Sequence, residues 1–494
     1  MMNTLYWHDY ETSGLNPRFD RPVQFAGLRT NLELEEVDTP LNLYSLPPKD
    51  ILPHPQACLI TGITPQLAAA RGIREQEFIH QIHEQLSRPG TCGVGYNSIR
   101  FDDEVTRFTL YRNFFDPYAR EWQNGNSRWD LIDLVRMTYA LRPEGIQWPR
   151  NDAGDPVFRL DHLSIANGIA HDNAHDALAD VRATLELARL IYRQQPRLYA
   201  WLFRLRDKRK VGPLLNVRTH EPVVHSSRMY PSSVGATTLV MPLIKEPNNS
   251  NGVLVYDLRI DPAPFLPLNQ EELSFRLFTA RKDLPEGVSR LPVKTVRYNK
   301  CPALAPRDTL DPESASRIHL SPENCQKHWQ QLMDNPAFFK RVAKAYSGRT
   351  VPRGGDVDGA LYDGFLNNAD RTLMAQVRHT PAGQLANMHI PFTDSRLSKM
   401  LFRYRARNWP ELLTTDEQLD WQQFRHKRLC ESNDGQWLSI TEYTEQLTDL
   451  RQQHADNPDQ ISILDVLGQW GDSLLADVAA PAIKGNSGVT IQRV

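Results

Sequence analysis

A chain of 494 residues, 40% hydrophobic and 23% charged, is too long for one ordinary core and divides into two to four domains. Its formal net charge of -2 excludes a globally basic protein, so any grip on nucleic acid must come from local basic patches. Five scattered cysteines (Cys58, Cys92, Cys301, Cys325, Cys430), with no CxxC pair, exclude a zinc ribbon or a disulfide scaffold.

Residues 1–195 read as mixed α/β. Strand patterns at 5–11, 23–30 and 42–45, joined by short polar connections, form an antiparallel meander. TPQLAAARG begins a helix, with Thr64 as its cap and Pro65 in its first turn. REQEFIHQIHEQL places Phe78, Ile79, Ile82 and Leu86 at helical spacing. TCGVGYN is a short buried strand ending in a turn, and FDDEVTRFTLYRNFF returns to helical periodicity. WDLIDLVRMTYAL is a further helix, 143–156 a Gly- and Pro-rich loop, and a helix from about 174 to 192 closes the domain.

Between 196 and 350 the text changes to short β runs (TTLVMPLI, GVLVYDLRI, PVKTVRYN) between turn-rich segments, which predicts a small β-rich domain with added helices. From 351 to 478 it is helical: ALYDGFL, DRTLMAQV, SRLSKMLFRYRARNW, DEQLDWQQFRHKRL and ISILDVLGQWGDSLLADV. Residues 479–494 read as a loose tail. No repeat is visible. No apolar run approaches the roughly 18 residues that span a bilayer, and the N-terminus lacks the basic-then-apolar pattern of a signal peptide. A soluble, cytoplasmic protein is expected, with its sparse cysteines kept reduced.

HDYET is the most informative string. Residues two apart on a strand face one side, so Asp9 and Glu11 project together. Paired carboxylates in an apolar strand need a neutralising partner, usually a divalent cation, although a solvent-facing edge strand would carry them without meaning. GYNSIRFDDEV adds Asp102 at a helix start beside an apolar strand. NAHDALADVRATLELARL puts His175 in the turn before Asp180, near the N-terminus of an amphipathic helix. Taken singly, a histidine near a helix N-terminus is more often a polar cap than a catalyst.

Asp-x-Glu, Asp and His-x4-Asp in this order resemble the DEDDh class of 3′–5′ exonucleases, with a ribonuclease-H-like fold. HDYETSG, DRPVQFAGLRT, LITGITPQ, GYNSIRFDDEVTR, NSRWDLIDLVRMTYALRPEGI, NAHDALADV, NKCPALA and FRYRARNWP extend the resemblance, over about residues 4–470, to the bacterial exonuclease I family of single-strand-specific exodeoxyribonucleases. It implies three parts: an exonuclease domain with a mixed sheet (1–195), an SH3-like β-rich DNA-binding domain (196–350) and a helical C-terminal domain (351–478). It also implies processive hydrolysis releasing 5′-mononucleotides, in DNA repair and recombination.

The chemistry fits these residues. Two metal ions roughly 3.5–4 Å apart serve both ends of an in-line phosphodiester displacement, and hard oxygen ligands favour Mg²⁺, with Mn²⁺ as a substitute. Asp9, Glu11, Asp102 and Asp180 are the candidate metal ligands, with Glu11 also near the terminal 3′-OH. His175 is the candidate general base. Between Asp102 and Asp103 the resemblance selects Asp102, leaving Asp103 to cap its helix.

For the strand itself, aromatic platforms and basic side chains are needed. The resemblance places Arg107, Tyr118, Trp122, Arg136 and His175 against DNA and Arg159 with Glu11 against substrate, with Lys208, Asn251, Lys294 and Asn299 along an extended path. Phe114, Phe115 and Trp129 are expected in the core. Basic strings RLRDKRK, KTVRYNK and SRLSKMLFRYRARN, each a solvated face if taken alone, together suggest a channel closed by the later domains.

Single-stranded-DNA-binding protein is the expected partner, with Arg142 and Trp201 as contributors to its dock, although the acidic APRDTLDP stretch suits such a dock poorly. A monomer is expected. The rival readings are a DEDDh exoribonuclease or a proofreading exonuclease, which leave some 300 residues unexplained, and a catalytically silent binding protein, which has no use for clustered carboxylates.

Overall fold

The computed structural model describes residues 3–170, 176–348, 355–431 and 435–479. The first sheet has the order β3-β2-β1-β4-β5. Strands β1 (Thr4–Thr12), β2 (Pro22–Thr30) and β3 (Leu41–Tyr44) form the antiparallel meander, while β4 (Thr91–Gly95) and β5 (Ser127–Asp130) run parallel to β1. A parallel neighbour requires a crossover, and helices α1 (Pro55–Thr61), α2 (Pro65–Arg71) and α3 (Glu75–Leu86) supply it.

The two faces of β1 go to different cores. Leu5 and Trp7 pack in the large cluster with Val181, Leu185 and Ala188 of helix α7 (Ala177–Gln194). Tyr6 and Tyr10 face Phe25, Phe78, Ile79 and Ile82, with Val105 and Leu110 of α4 (Asp102–Arg112). Helices α5 (Leu131–Leu141) and α6 (Leu160–Ala166) complete this domain.

The second sheet, order β10-β6-β7-β8-β9, is antiparallel throughout. It comprises β6 (Val223–Ser226), β7 (Thr237–Lys245), β8 (Gly252–Asp257), β9 (Val293–Arg297) and β10 (Ala303–Pro306), surrounded by α8 (Pro196–Arg204), α9 (Lys208–Val211), α10 (Gln270–Phe278), α11 (Pro312–Arg317), α12 (Pro322–Met333) and α13 (Pro336–Ser347). Tyr199 and Phe203 of α8 each meet the Trp129 ring at 5.1 Å, so this helix packs on the first domain and joins the two cores.

The third part holds α14 (Asn368–His379), α15 (Ala382–Leu385), α16 (Ser395–Asn408), α17 (Thr415–Cys430), α18 (Ile440–Gln453) and α19 (Pro458–Ala479). A buried ionic cluster ties it to the first domain. Asp358 is 0% exposed and meets Arg407 at 2.5 Å, Arg428 at 2.9 Å, Arg21 at 3.2 Å and Arg403 at 3.4 Å. Asp50 meets Arg407 at 2.7 Å. Burial alone would raise the Asp358 pKa, but the surrounding guanidinium groups outweigh it and hold the carboxyl well below its usual range.

Some expectations need correction. Of ALYDGFL only ALYD is helical, as the end of a 3-10 helix, Val357–Asp363, that stops at Gly364. WDLIDL spans a strand-to-helix junction: Asp130 ends β5 and its side chain accepts from Ile132 N–H to start α5. Strands β6 and β10, four residues each, and the polar α18, with only Tyr443, Leu447 and Leu450 buried, are too short or too hydrophilic for a periodicity signal.

Candidate active site

Asp9 and Glu11 continue the face of Leu5 and Trp7 at the end of β1, where the apolar core runs out. Helix α7 crosses that end and brings Asp180. Carboxylate oxygens of Asp9, Glu11 and Asp180 all lie within 4.8 Å of one another.

Asp102 arrives differently. Strand β4 pairs with β1 only as far as Trp7↔Val94, so the Tyr10 N–H has no strand partner on that side. Asp102, the first residue of α4, accepts it through Oδ1 at 3.2 Å. A Cβ at Gly95, where β4 ends, would sit 2.6 Å from Ser98 Cβ and 3.0 Å from the His8 carbonyl. Only glycine allows the chain to turn so tightly into α4.

The electrostatics mark a site built for a cation. Burial, then Asp102, Asp180 and Glu11, raise the Asp9 pKa well above its ordinary value. Burial, then Asp180, Asp102 and Asp176, push Glu11 up to about 9. Asp102 is pushed up to about 8, by burial first and by Asp103 and Asp130 as well. Such acids cannot all ionise together without a counter-charge. The donors are all hard oxygens, and two ligands of one Mg²⁺ lie at most about 4.2 Å apart, so the cluster closes on an ion with under an ångström of movement. A divalent cation fits these residues.

Asp103 does not cap its helix. It turns away from the cluster to meet Arg120 at 2.6 Å and Arg128 at 2.8 Å, both buried. Burial would raise its pKa, but these two arginines override that and hold it well below the usual range. The cap of α7 is Asp176, whose carboxylate accepts from Leu178 and Ala179 N–H. His175, the candidate base, lies outside the described residues. The neighbouring His8 is no substitute, because it sits on the opposite face of β1 and burial lowers its pKa to about 4.

Three clefts open between the domains, none of them lined by the four acids. The first, about 830 Å³, lies between the first two domains and includes Asp130, Arg100, Arg136, Arg228 and Lys294. It shares Arg297 and Lys300 with a second of about 810 Å³, lined by Tyr118, Trp122, Asn299 and residues of the C-terminal domain. The second shares Trp122 and Asn299 with a third of about 620 Å³ at Arg204, Arg206, Lys208 and Lys210.

The residues expected to touch DNA are thus distributed unevenly. Trp122 is 66% exposed, a ready platform. Arg107 is not a free cation: it is buried, bound by both Glu121 oxygens at 2.7 Å and by Glu104 at 2.7 Å, and it lies 5.3 Å from the Tyr118 ring centre. Arg136 pairs with Asp133 at 2.6 Å. Lys294 donates to the Met229 carbonyl and lies 3.8 Å from the Tyr230 ring centre, and burial lowers its pKa to about 8. Arg159 is exposed and held by Asp161 at 2.8 Å.

The Asn251 carbonyl accepts from Tyr298 N–H at 2.8 Å; its neighbour Asn249 lines the second cleft. Arg142 pairs with Asp311 at 3.2 Å, and the Trp201 indole donates to the Leu304 carbonyl at 2.7 Å. Phe114, Phe115 and Trp129 are buried, as expected.

Sequence reading missed Arg120 and Arg128, which neutralise Asp103, and Tyr362, which joins Glu104 from the C-terminal domain. No local pattern signals any of them, since each matters only through a partner remote in the chain.

Comparison with known proteins follows the same three parts. A model of an exonuclease family matches residues 6–188, one of the exonuclease I SH3-like domain 206–348, and one of the exonuclease I C-terminal domain 355–474. Exodeoxyribonuclease I of Escherichia coli (strain K12) is 44% identical over 474 residues, 96% of this chain and 98% of that protein. The structure of E. coli exonuclease I in complex with a dA16 oligonucleotide superposes with a TM-score of 0.92 at 44% identity, covering 96% of this chain and 100% of that one. A structure of SSB/exonuclease I in complex with the inhibitor CFAM gives 0.88 at 43% identity, with the same coverage.

Proposed function

The chain belongs to the exonuclease I family, and from that premise we propose how its residues carry out 3′–5′ hydrolysis of single-stranded DNA. It is an exodeoxyribonuclease, a hydrolase of phosphodiester bonds. The observation that carries the mechanism is the meeting of Asp9, Glu11 and Asp180 within 4.8 Å, with Asp102 anchored beside them on Tyr10.

Asp9, Glu11, Asp102 and Asp180 would hold two Mg²⁺ ions, with Mn²⁺ as a substitute. When bound, these activate the attacking water and offset charge at both ends of an in-line displacement. His175 takes the proton from that water, since an imidazole of ordinary pKa about 6.5 is a competent base at neutral pH. Glu11 lies close to the terminal 3′-OH and orients it. The three clefts guide the single strand towards the acids, and the later domains keep it there between cycles, so that 5′-mononucleotides leave processively.

The role is in DNA repair and recombination, with single-stranded-DNA-binding protein as partner. The relative crystallised as SSB/exonuclease I supports that partnership. The cytoplasm suits five cysteines that are all free thiols. Among the described residues no helix is long and apolar enough to cross a membrane.

The test uses matched DNA and RNA oligonucleotides, single and double stranded, with and without Mg²⁺. Release of mononucleotides from the 3′ end of single-stranded DNA, lost on chelation and in Asp9→Ala, is expected. Equal release from RNA, or near-normal turnover by Asp9→Ala, would refute the assignment.

A further inference from the structure

Gln24 is fully buried on strand β2. It stands directly opposite Glu11 in the β1–β2 ladder, so both side chains emerge from one face of the sheet. Ala26 and Leu28, on the same side of β2, share the large core with Val181 of α7, so this is the face that α7 crosses. A buried amide needs partners, and those of Gln24 lie at the start of that helix and on β3.

The Gln24 amide nitrogen donates to Asp176 Oδ2 at 3.0 Å and to Asn42 Oδ1 at 3.1 Å, while its oxygen accepts from the Ala177 N–H at 3.4 Å. Asp176 takes the Leu178 and Ala179 N–H groups on Oδ1, at 3.1 and 3.2 Å. The first three N–H groups of α7, which a helix cannot satisfy internally, are thus closed by a bracket of two side chains. Asp180 stands three residues past Ala177, and its carboxylate lies within 4.8 Å of those of Asp9 and Glu11. One residue of slip would turn Asp180 by about 100° around the helix axis and out of the cluster. The bracket fixes α7 to the strand beside the one that carries the other two acids.

Asp176 is close enough to Glu11 for its charge to help raise the Glu11 pKa. It is a further carboxylate beside the cluster, and the bracket keeps it turned to the helix start. An uncharged amide does this without disturbing the charge of the site. A glutamate at position 24 could not donate to Asp176 and would add a charge directly opposite Glu11. A lysine would set a fixed cation against the acids. A leucine would fill the space but take this partner from both the Asp176 oxygen and the Ala177 N–H.

We propose that Gln24 is a positioning residue for the metal site: by bracketing Asp176 and the first N–H of α7, it sets where Asp180 meets Asp9 and Glu11. The inference rests on the functional reading above and adds to it a residue of β2 that acts through Asp176 and α7.

The experiment compares full-length wild type, Gln24→Leu, Gln24→Glu, Asp176→Asn and the exchanged pair Gln24→Glu/Asp176→Asn. The exchanged pair moves the donor from position 24 to position 176 and keeps the net charge. After chelator treatment, Mn²⁺ is titrated calorimetrically without DNA, and amide hydrogen exchange is read at residues 177–180. For Gln24→Leu the expected result is a Mn²⁺ Kd about tenfold higher, in the range typical of groups that orient metal ligands, with faster exchange at 177–180. With Mg²⁺ and oligo-dT its kcat should fall about tenfold while KM stays within about twofold. Gln24→Glu and Asp176→Asn should each lose kcat, and the exchanged pair should recover to within about threefold of wild type.

Wild-type Mn²⁺ affinity in Gln24→Leu overturns the proposal. So does a lower melting temperature with metal affinity and kcat unchanged, the signature of a hydrogen bond that serves stability alone. An exchanged pair no better than the worse of its two single variants overturns it as well. If Gln24→Leu does not fold, the exchanged pair against its singles carries the same decision, because it keeps a donor facing an acceptor. A protein that shows the shifts in metal affinity and exchange but releases no nucleotide would sink the exonuclease reading and leave the placement of Asp180 standing.

Discussion

Glutamine at position 11 should stabilise the metal-free protein while removing its activity. Glu11 is only 9% exposed and keeps its proton up to about pH 9, against an ordinary 4.5. A carboxyl raised in this way is favourable below its unfolded pKa, and its contribution is lost as pH climbs from 4.5 towards 9. At pH 7 the folded state must retain a proton that the unfolded chain has released two and a half units earlier. At 1.36 kcal/mol per unit this costs on the order of 3 kcal/mol.

Glu11→Gln keeps the shape and removes that cost. In chelator at pH 7 the unfolding transition of the first domain should rise by about 6–12 °C, given roughly 2–4 °C per kcal/mol for a domain of this size. The gain should shrink to near zero by about pH 4.5. Added Mg²⁺ should raise the wild-type transition and move the variant less, because one ligand is gone. Nucleotide release should fall by more than the roughly 10–100-fold typical of a residue that merely supports a ligand. Calorimetry across pH, with and without Mg²⁺, reads all of this. A variant less stable than wild type in chelator at pH 7, or a gain independent of pH, would show that the acids are not in mutual conflict.

His175→Ala should cost about 10² or more in turnover, read as mononucleotide release from a single-stranded oligonucleotide, as expected of the proton acceptor. Asp103→Asn strands the buried Arg120 and leaves Arg128 with Glu121 as its remaining carboxylate, and should destabilise by about 3–5 kcal/mol, whereas Asp102→Asn in chelator should be neutral or stabilising; thermal melts of the pair discriminate the two adjacent acids. Asp358→Asn should loosen the C-terminal domain from the first by a similar amount, seen as an earlier calorimetric transition or faster proteolysis. Because the arginines hold the Asp358 pKa below its ordinary 3.8, that contact's stabilisation is present above pH 3.8 and is lost as pH falls further, so wild type in acid should come to resemble the variant.

What the sequence determined by itself was local and periodic. Asp9 and Glu11 share a face because strand geometry repeats every two residues, whatever surrounds them. Thr64, Pro65 and the apolar stripe of Glu75–Leu86 define helices through capping and spacing, and each formed where expected. Four-residue strands and the hydrophilic α18 escaped because so few residues carry a period.

What only the tertiary structure decided was charge and access. Asp102 and Asp103 are the same residue type side by side, yet one is driven towards neutrality among acids and the other is fixed as an anion by Arg120 and Arg128. Arg107, expected against DNA from the resemblance, is held by Glu104 and Glu121. Arg21 meets Asp358 across 337 residues of chain, and that clasp ties the C-terminal domain to the first. Burial and the charges that accompany it are set by neighbours distant in sequence. No local pattern encodes them until the chain has folded.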